Sequence, residues 1–207
     1  MKALRHIALA SIALVSATAA NAQISGSLGS AGGALLALTS AGLNGGSVAT
    51  LSGGSVLSSS TGYAAMPVGT VGNFLAAGPT AGEPAILTFT PGTKYLSFLW
   101  GSPDTYNRFT VNTSLGNTAI FTATGLGFSQ SGGQQGFAQA VQFKTLSAGE
   151  YFTTVSFANS PSSNAFEVSN FRSAVPEPAA WGMLILGFGA AGGVMRRRRD
   201  MTRLAHA

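Results

Sequence analysis

Lys94-Tyr95-Leu96-Ser97-Phe98-Leu99-Trp100, followed at once by Gly101-Ser102-Pro103-Asp104, decides the fold class. Five of the first seven residues are apolar or aromatic, and the run suits a pleated, half-buried surface. The next four are turn formers that stop a strand. The unit recurs on both sides. Residues 85–90 read AILTFT and end at Pro91-Gly92. Downstream, 106–111, 119–124, 137–146, 150–157 and 164–171 are β-rich runs, and loops such as Ser131-Gly132-Gly133-Gln134 separate them. Short strands with turn signals roughly every 8–15 residues predict an all-β protein, a jelly-roll-like β-sandwich. No 3.6-residue periodicity of helical length appears between the two ends of the chain.

Upstream the composition changes. The 40 residues 23–62 hold 10 Gly and 10 Ser, with scattered Leu and Val. Such a stretch has high chain entropy and little to bury. It is expected to be a poorly ordered Gly/Ser-rich segment with some β character, leaving 63–174 as the sandwich domain.

The net charge of +5 belongs to the chain ends. Between Gln23 and Val175 the cations Lys94, Arg108, Lys144 and Arg172 balance the anions Glu83, Asp104, Glu150 and Glu167. A neutral domain has no basic patch for nucleic acid. The chain has no Cys, and both His residues lie in the terminal segments. That excludes disulfides, Ser–His and Cys–His catalysis and His-ligated zinc from the middle of the chain. No metal or cofactor motif is present, since the glycine loops lack the strand, helix and lysine of a phosphate cradle.

Residues 1–22 carry Lys2 and Arg5, a short apolar run from Ile7 to Val15, and Ala20-Asn21-Ala22 before Gln23. A basic start, an apolar stretch too short to stay in a bilayer, and small residues at −3 and −1 predict a signal helix. It engages the general secretion machinery, with cleavage between Ala22 and Gln23. At the other end, 179–195 is uncharged and mostly apolar, at the lower length limit for a single transmembrane helix. Arg196, Arg197, Arg198 and Arg199 follow and mark the cytoplasmic side. Residues 200–207 are then a cytoplasmic tail, and the domain lies outside the membrane. Pro176-Glu177-Pro178 precedes the span and holds the backbone extended.

Val175-Pro176-Glu177-Pro178, Trp181, a short glycine-containing apolar helix and the arginine cluster together resemble the PEP-CTERM sorting signal of Gram-negative bacteria. The match is to the variant with Trp three residues after the second proline, over 175–199; Gly182 replaces the usual Ala. The resemblance implies cleavage by an exosortase, a membrane protease or transpeptidase, and delivery to the cell surface or extracellular matrix. Two internal stretches resemble exported proteins carrying that signal. They are Trp100-Gly101-Ser102 with Asp104 and Tyr106-Asn107, and Asn164-Ala165-Phe166-Glu167-Val168-Ser169-Asn170, where such proteins usually have Asp in place of Ser169.

Two kinds of site suggest themselves. Trp100, Tyr106 and Asn107 lie at one strand–loop junction and could contact carbohydrate by stacking and hydrogen bonding; alternatively Trp100 is the core tryptophan of the sandwich. Asp104 and Glu167 could form a glycosidase pair; alternatively Asp104 makes a turn and Glu167 pairs with Arg172 or Arg108. The favoured reading is an exported, non-enzymatic surface or matrix protein that associates with extracellular polysaccharide or the envelope. A carbohydrate-binding module is the alternative, and a secreted glycoside hydrolase a third.

Overall fold

The computed structural model describes residues 23–30, 32–173 and 186–188. Fourteen strands account for most of it. They are β1 (Ile24–Leu28), β2 (Ala34–Leu35), β3 (Leu38–Thr39), β4 (Gly42–Leu43), β5 (Ala49–Ser52), β6 (Ser55–Leu57) and β7 (Phe74–Ala77). The rest are β8 (Ala85–Phe89), β9 (Tyr95–Gly101), β10 (Asn107–Thr113), β11 (Thr118–Phe121), β12 (Ala138–Thr145), β13 (Phe152–Asn159) and β14 (Phe166–Ser173). They form two sheets. One runs β1-β12-β9-β14-β7-β6, with β2 also paired to β14; the other runs β11-β10-β13-β8-β5-β4-β3. Every pairing between these strands is antiparallel.

From β7 to β10 the chain alternates between the sheets, and β12, β13 and β14 alternate again. Strands joined across the gap bury one face of each sheet against the other. The pattern is plainest in β10, where Asn107, Phe109, Val111 and Thr113 are buried and the residues between them half-buried. The core is a mass of aromatic rings. Phe98 of β9 meets Phe109 of β10 edge-on at 5.1 Å and Phe157 of β13 at 5.5 Å, so it joins the two sheets. Trp100 stacks on Phe166 of β14 at 4.4 Å. Each fully buried large side chain contributes roughly 1.5–3 kcal/mol.

The seven runs read from the sequence all appear, as β8 to β14. In the Gly/Ser-rich segment the expected β character is present, and the expected poor order is corrected. Residues 23–62 supply β1 to β6, which extend both sheets, and no boundary falls at residue 62. Leu43 and Ala49 are fully buried there. The composition misleads because small residues let backbone approach the aromatic core. At Gly26 a β-carbon would lie 2.6 Å from the Phe121 ring and 2.8 Å from that of Phe143. In β1, then, glycine is a packing residue rather than a sign of slack chain.

β9 is buried on both faces except at Leu99, unlike β10. Its second face lies under the segment between β6 and β7. Pro67 packs on Gly101, Glu167 accepts from the Ala65 N–H, and Thr70 and Ser169 hydroxyls meet at 2.8 Å. A small second core of Ala64, Phe74, Ala76, Ala81 and Ala165 sits beneath it. Ser169, the position where Asp was expected, is thus a fully buried clamp for this strap. Asn170 completes the clamp. Its amide donates to Gly69 O at 2.8 Å and accepts from the Val71 N–H at 2.7 Å.

The signal helix of 1–22 and the sorting motif at Pro176, Glu177, Pro178 and Trp181 lie outside the described residues, as do Arg196 to Arg199. Of the apolar segment only Leu186, Gly187 and Phe188 are described, and they are helical. Among the described residues no helix is long and apolar enough to cross a membrane.

Candidate functional site: a cleft between the strap and two loops

A cleft of about 380 Å³ opens on the outer face of the β9–β14 sheet. Residues 60–65 of the strap form one wall. Asp104, Tyr106, Gly133 and Gln135 form the other, and Ser102, Asn164, Ala165 and Glu167 complete the lining.

Glu167 ties the walls together. It sits on β14 between Phe166 and Val168, which are wholly buried, so strand alternation sends its carboxylate to the strap side. One oxygen accepts from the Ala65 N–H at 3.0 Å and the other from the Ser102 hydroxyl at 2.6 Å. Only 3% of the residue is exposed. Burial pushes its carboxyl up to about 7; the two hydrogen bonds act against that rise and the charge of Asp104 adds to it. The expected pairing of Glu167 with arginine is corrected. Arg108 donates to the carbonyls of Thr105 and Asn107, and Arg172 to that of Gly33.

Asp104 makes the turn that opens β10. Its N–H donates to Asn107 Oδ1 at 2.7 Å, and Asn107 N donates back to Asp104 O at 3.2 Å. Its carboxylate lies against Gly133. A β-carbon there would fall 2.9 Å from Asp104 Oδ1, and Gly133 has φ +72°, so position and conformation both call for glycine. Tyr106 donates its hydroxyl to Asn164 O at 3.0 Å. Burial, a hydrogen bond with Asp104 and the nearby negative charges push this phenol up to about 12, so it stays neutral.

The carbohydrate contacts expected at Trp100 and Asn107 are corrected by burial. Neither has exposed surface. Trp100 is the core tryptophan, its indole N–H donating to Asn107 Oδ1 at 3.3 Å. Asn107 in turn donates to Asn159 Oδ1 at 2.8 Å. Tyr106 alone of the three reaches the cleft. The proposed acid pair does share it, but both Glu167 oxygens are engaged by protein donors. A general acid or base must reach the substrate's proton, and this carboxyl is turned to the wall. Sequence reasoning missed Tyr63, Thr61 and Gln135, which also line the cleft. A signal existed: Tyr63 is the only aromatic residue between Gln23 and Asn73.

Among the described residues no cluster of His, Asp or Glu is arranged to hold a metal ion.

In comparisons of sequence, no curated protein matches the chain. In shape it is similar to an exo-β-1,3-galactanase from Phanerochaete chrysosporium crystallised with β-1,3-galactotriose. The identity is 17% and the TM-score 0.32, over 61% of this chain and 29% of that one. So distant a likeness bears on no activity. The family model described as the PEP-CTERM protein-sorting motif matches residues 174–199. That motif implies an exported protein targeted to an exosortase. It begins directly after Ser173, the last residue of β14. The tail of this chain therefore carries a PEP-CTERM sorting motif.

Proposed function

We propose that this chain is a non-enzymatic surface or extracellular-matrix protein, whose jelly-roll-like sandwich is released when an exosortase cuts near Pro176-Glu177-Pro178. The single observation that carries the reading is where the last described strand ends relative to the sorting motif. β14 pairs with β9, β7 and β2, and its last residues, Arg172 and Ser173, are still paired with Leu35 and Ala34. The sorting motif starts at the next residue. Cleavage near Pro176 would therefore leave every described strand of the two sheets in place. The leaving tail takes the arginine cluster with it, and the sandwich that remains carries four cations and four anions. A neutral domain rich in Ser, Thr, Asn and Gly suits residence among extracellular polysaccharide. The export route begins with signal-peptide removal before Gln23 and passes through a single-span intermediate with its C-terminus in the cytoplasm.

The test is intact mass of the protein recovered from the cell surface, beside a Glu177→Ala variant. Mass running from near Gln23 to near Pro176–Pro178, with the variant retained in the membrane, is the expected result. A mature protein that still carries Arg196 to Arg199 would make the tail an ordinary anchor.

A second reading, a carbohydrate-binding module, is favoured by the cleft, which is lined by hydroxyls, amides, carboxylates and two tyrosines.

A further inference from the structure

The cleft's lining defines what it can hold. Its volume of about 380 Å³ lies within the usual range of ligand sites, roughly 300–1,000 Å³. Such sites are mostly apolar; this one is not. Ser60, Thr61, Asp104 and Gln135 bring polar groups to it, and Tyr63 and Tyr106 bring rings. The Gln135 side chain makes no hydrogen bond to the rest of the described protein, nor does the Tyr63 hydroxyl. Both are free to meet a ligand. Tyr63 is anchored by packing on the second core, so its ring is held at the cleft before anything binds. The wall that carries it is fixed too. Thr61 Oγ1 accepts from Ala64 N at 3.2 Å, Ser60 Oγ accepts from Met66 N at 2.9 Å, and Glu167 holds Ala65 N. Fixed polar groups lose little freedom on binding.

Charge narrows the choice. Two carboxyl groups border the cleft, and among the described residues no Lys, Arg or His lines it. Arg108 and Arg172 both donate to backbone carbonyls outside the lining. A ligand carrying carboxylate, sulfate or phosphate would face the Asp104 carboxylate with no cation in the lining to compensate, and like charges brought together in a site disfavour binding. Hydroxyl groups instead donate to carboxylates in charge-assisted hydrogen bonds. We propose that the cleft binds a saccharide chain without acidic groups, with Asp104 accepting its hydroxyls, Gln135 completing the hydrogen bonds and Tyr63 packing on a sugar ring. This deepens the carbohydrate-binding reading and rests on it. Glu167 is a positioning residue that holds the strap wall, not a ligand contact.

The test uses the full-length chain in mild detergent with fluorescent hexasaccharide probes: cellohexaose, laminarihexaose and mannohexaose as neutral chains, and an alginate hexamer as the acidic one. At least one neutral probe is expected to bind, the alginate hexamer not. Gln135→Ala, at an exposed position where folding is not at stake, and Tyr63→Ala are each expected to weaken binding about tenfold, the equivalent of about 1.4 kcal/mol. No binding by any neutral probe, equal binding of alginate, or undiminished binding by both variants would overturn the proposal. Co-sedimentation with the cell's own extracellular polysaccharide separates the two levels. Retention there by Gln135→Ala and Tyr63→Ala alike leaves polysaccharide association standing and removes the cleft as its site; loss of retention by the unmodified chain removes the association itself.

Discussion

The aromatic strands β9, β10, β12, β13 and β14 and the glycine-serine strands β3 to β6 belong to the same two sheets, yet they are held by different means. The aromatic strands run seven or eight residues and bury rings from both sheets in one cluster. The glycine-serine strands run two to four residues and bury few large side chains, chiefly Leu43. Their order comes from backbone pairing onto β8 and β7 and from close approach. A short strand can therefore be as fixed as a long one when a neighbour already presents a complete hydrogen-bonding edge.

The largest effect is expected from the aromatic side of that comparison. Phe98 contacts Trp100, Phe109, Phe143, Phe157 and Phe171. Phe98→Ala leaves a cavity between the sheets and is expected to cost about 4 kcal/mol. Urea unfolding of the full-length chain in mild detergent, followed by tryptophan fluorescence, measures it. A loss below about 1 kcal/mol would mean the ring cluster is not the stabilising centre.

Leu43→Ala breaks the comparison if the first region is slack. Leu43 is fully buried although it sits in a two-residue strand. A cost of about 3 kcal/mol, with an unchanged denaturant slope, is expected if β3 to β6 unfold with the rest. A near-zero cost would return residues 23–62 to the role of spacer.

The walls of the cleft give a third test, through Glu167. Its ordinary value is 4.5, and in the fold burial raises it to about 7. Between those pH values the folded chain holds a proton that the unfolded chain has released. Stability therefore falls as pH rises from about 4.5 to about 7, by about 2 kcal/mol between pH 5 and 7 at 1.36 kcal/mol per unit. Glu167→Gln has no proton to release, so its midpoints should lack that decline. Equal slopes for both chains would show that this carboxyl does not carry the pH dependence.

How much of this was legible in the sequence follows the same divide. β-rich runs between turn signals marked β8 to β14, and in β10 and β13 the apolar residues alternate with polar ones because one face meets the aromatic core. β7, Phe74-Leu75-Ala76-Ala77, is buried on both faces and so has no alternation to read. β3 to β6 are too short for any period. The site was half legible. Asp104, Tyr106 and Glu167 were singled out and do meet in the cleft; of the two readings of Trp100, sugar contact or core tryptophan, strand geometry makes it the second and buries Asn107 as well. Tyr63 was passed over because its strap has no strand or helix pattern. Only the tertiary clamp of Glu167, Ser169 and Asn170 places it.

The smallest effect sharpens the comparison most. Residues 119–124 gave a clear strand signal, and β11 indeed forms there, but as the outermost strand of its sheet. Ile120 is 63% exposed. Ile120→Thr keeps the β-branched shape that an edge strand favours and removes little buried area, so it should change stability by less than about 0.5 kcal/mol. Set beside Leu43→Ala, this reverses the order that local sequence pattern suggests: the strong signal at β11 is nearly silent in stability, and the faint one at β4 is not. The reason is physical. Pattern reports what a segment can pair as, whereas stability reports how much apolar surface the finished sandwich closes over it. If Ile120→Thr cost as much as Leu43→Ala in the same urea titration, β11 would have to be covered in solution by another surface.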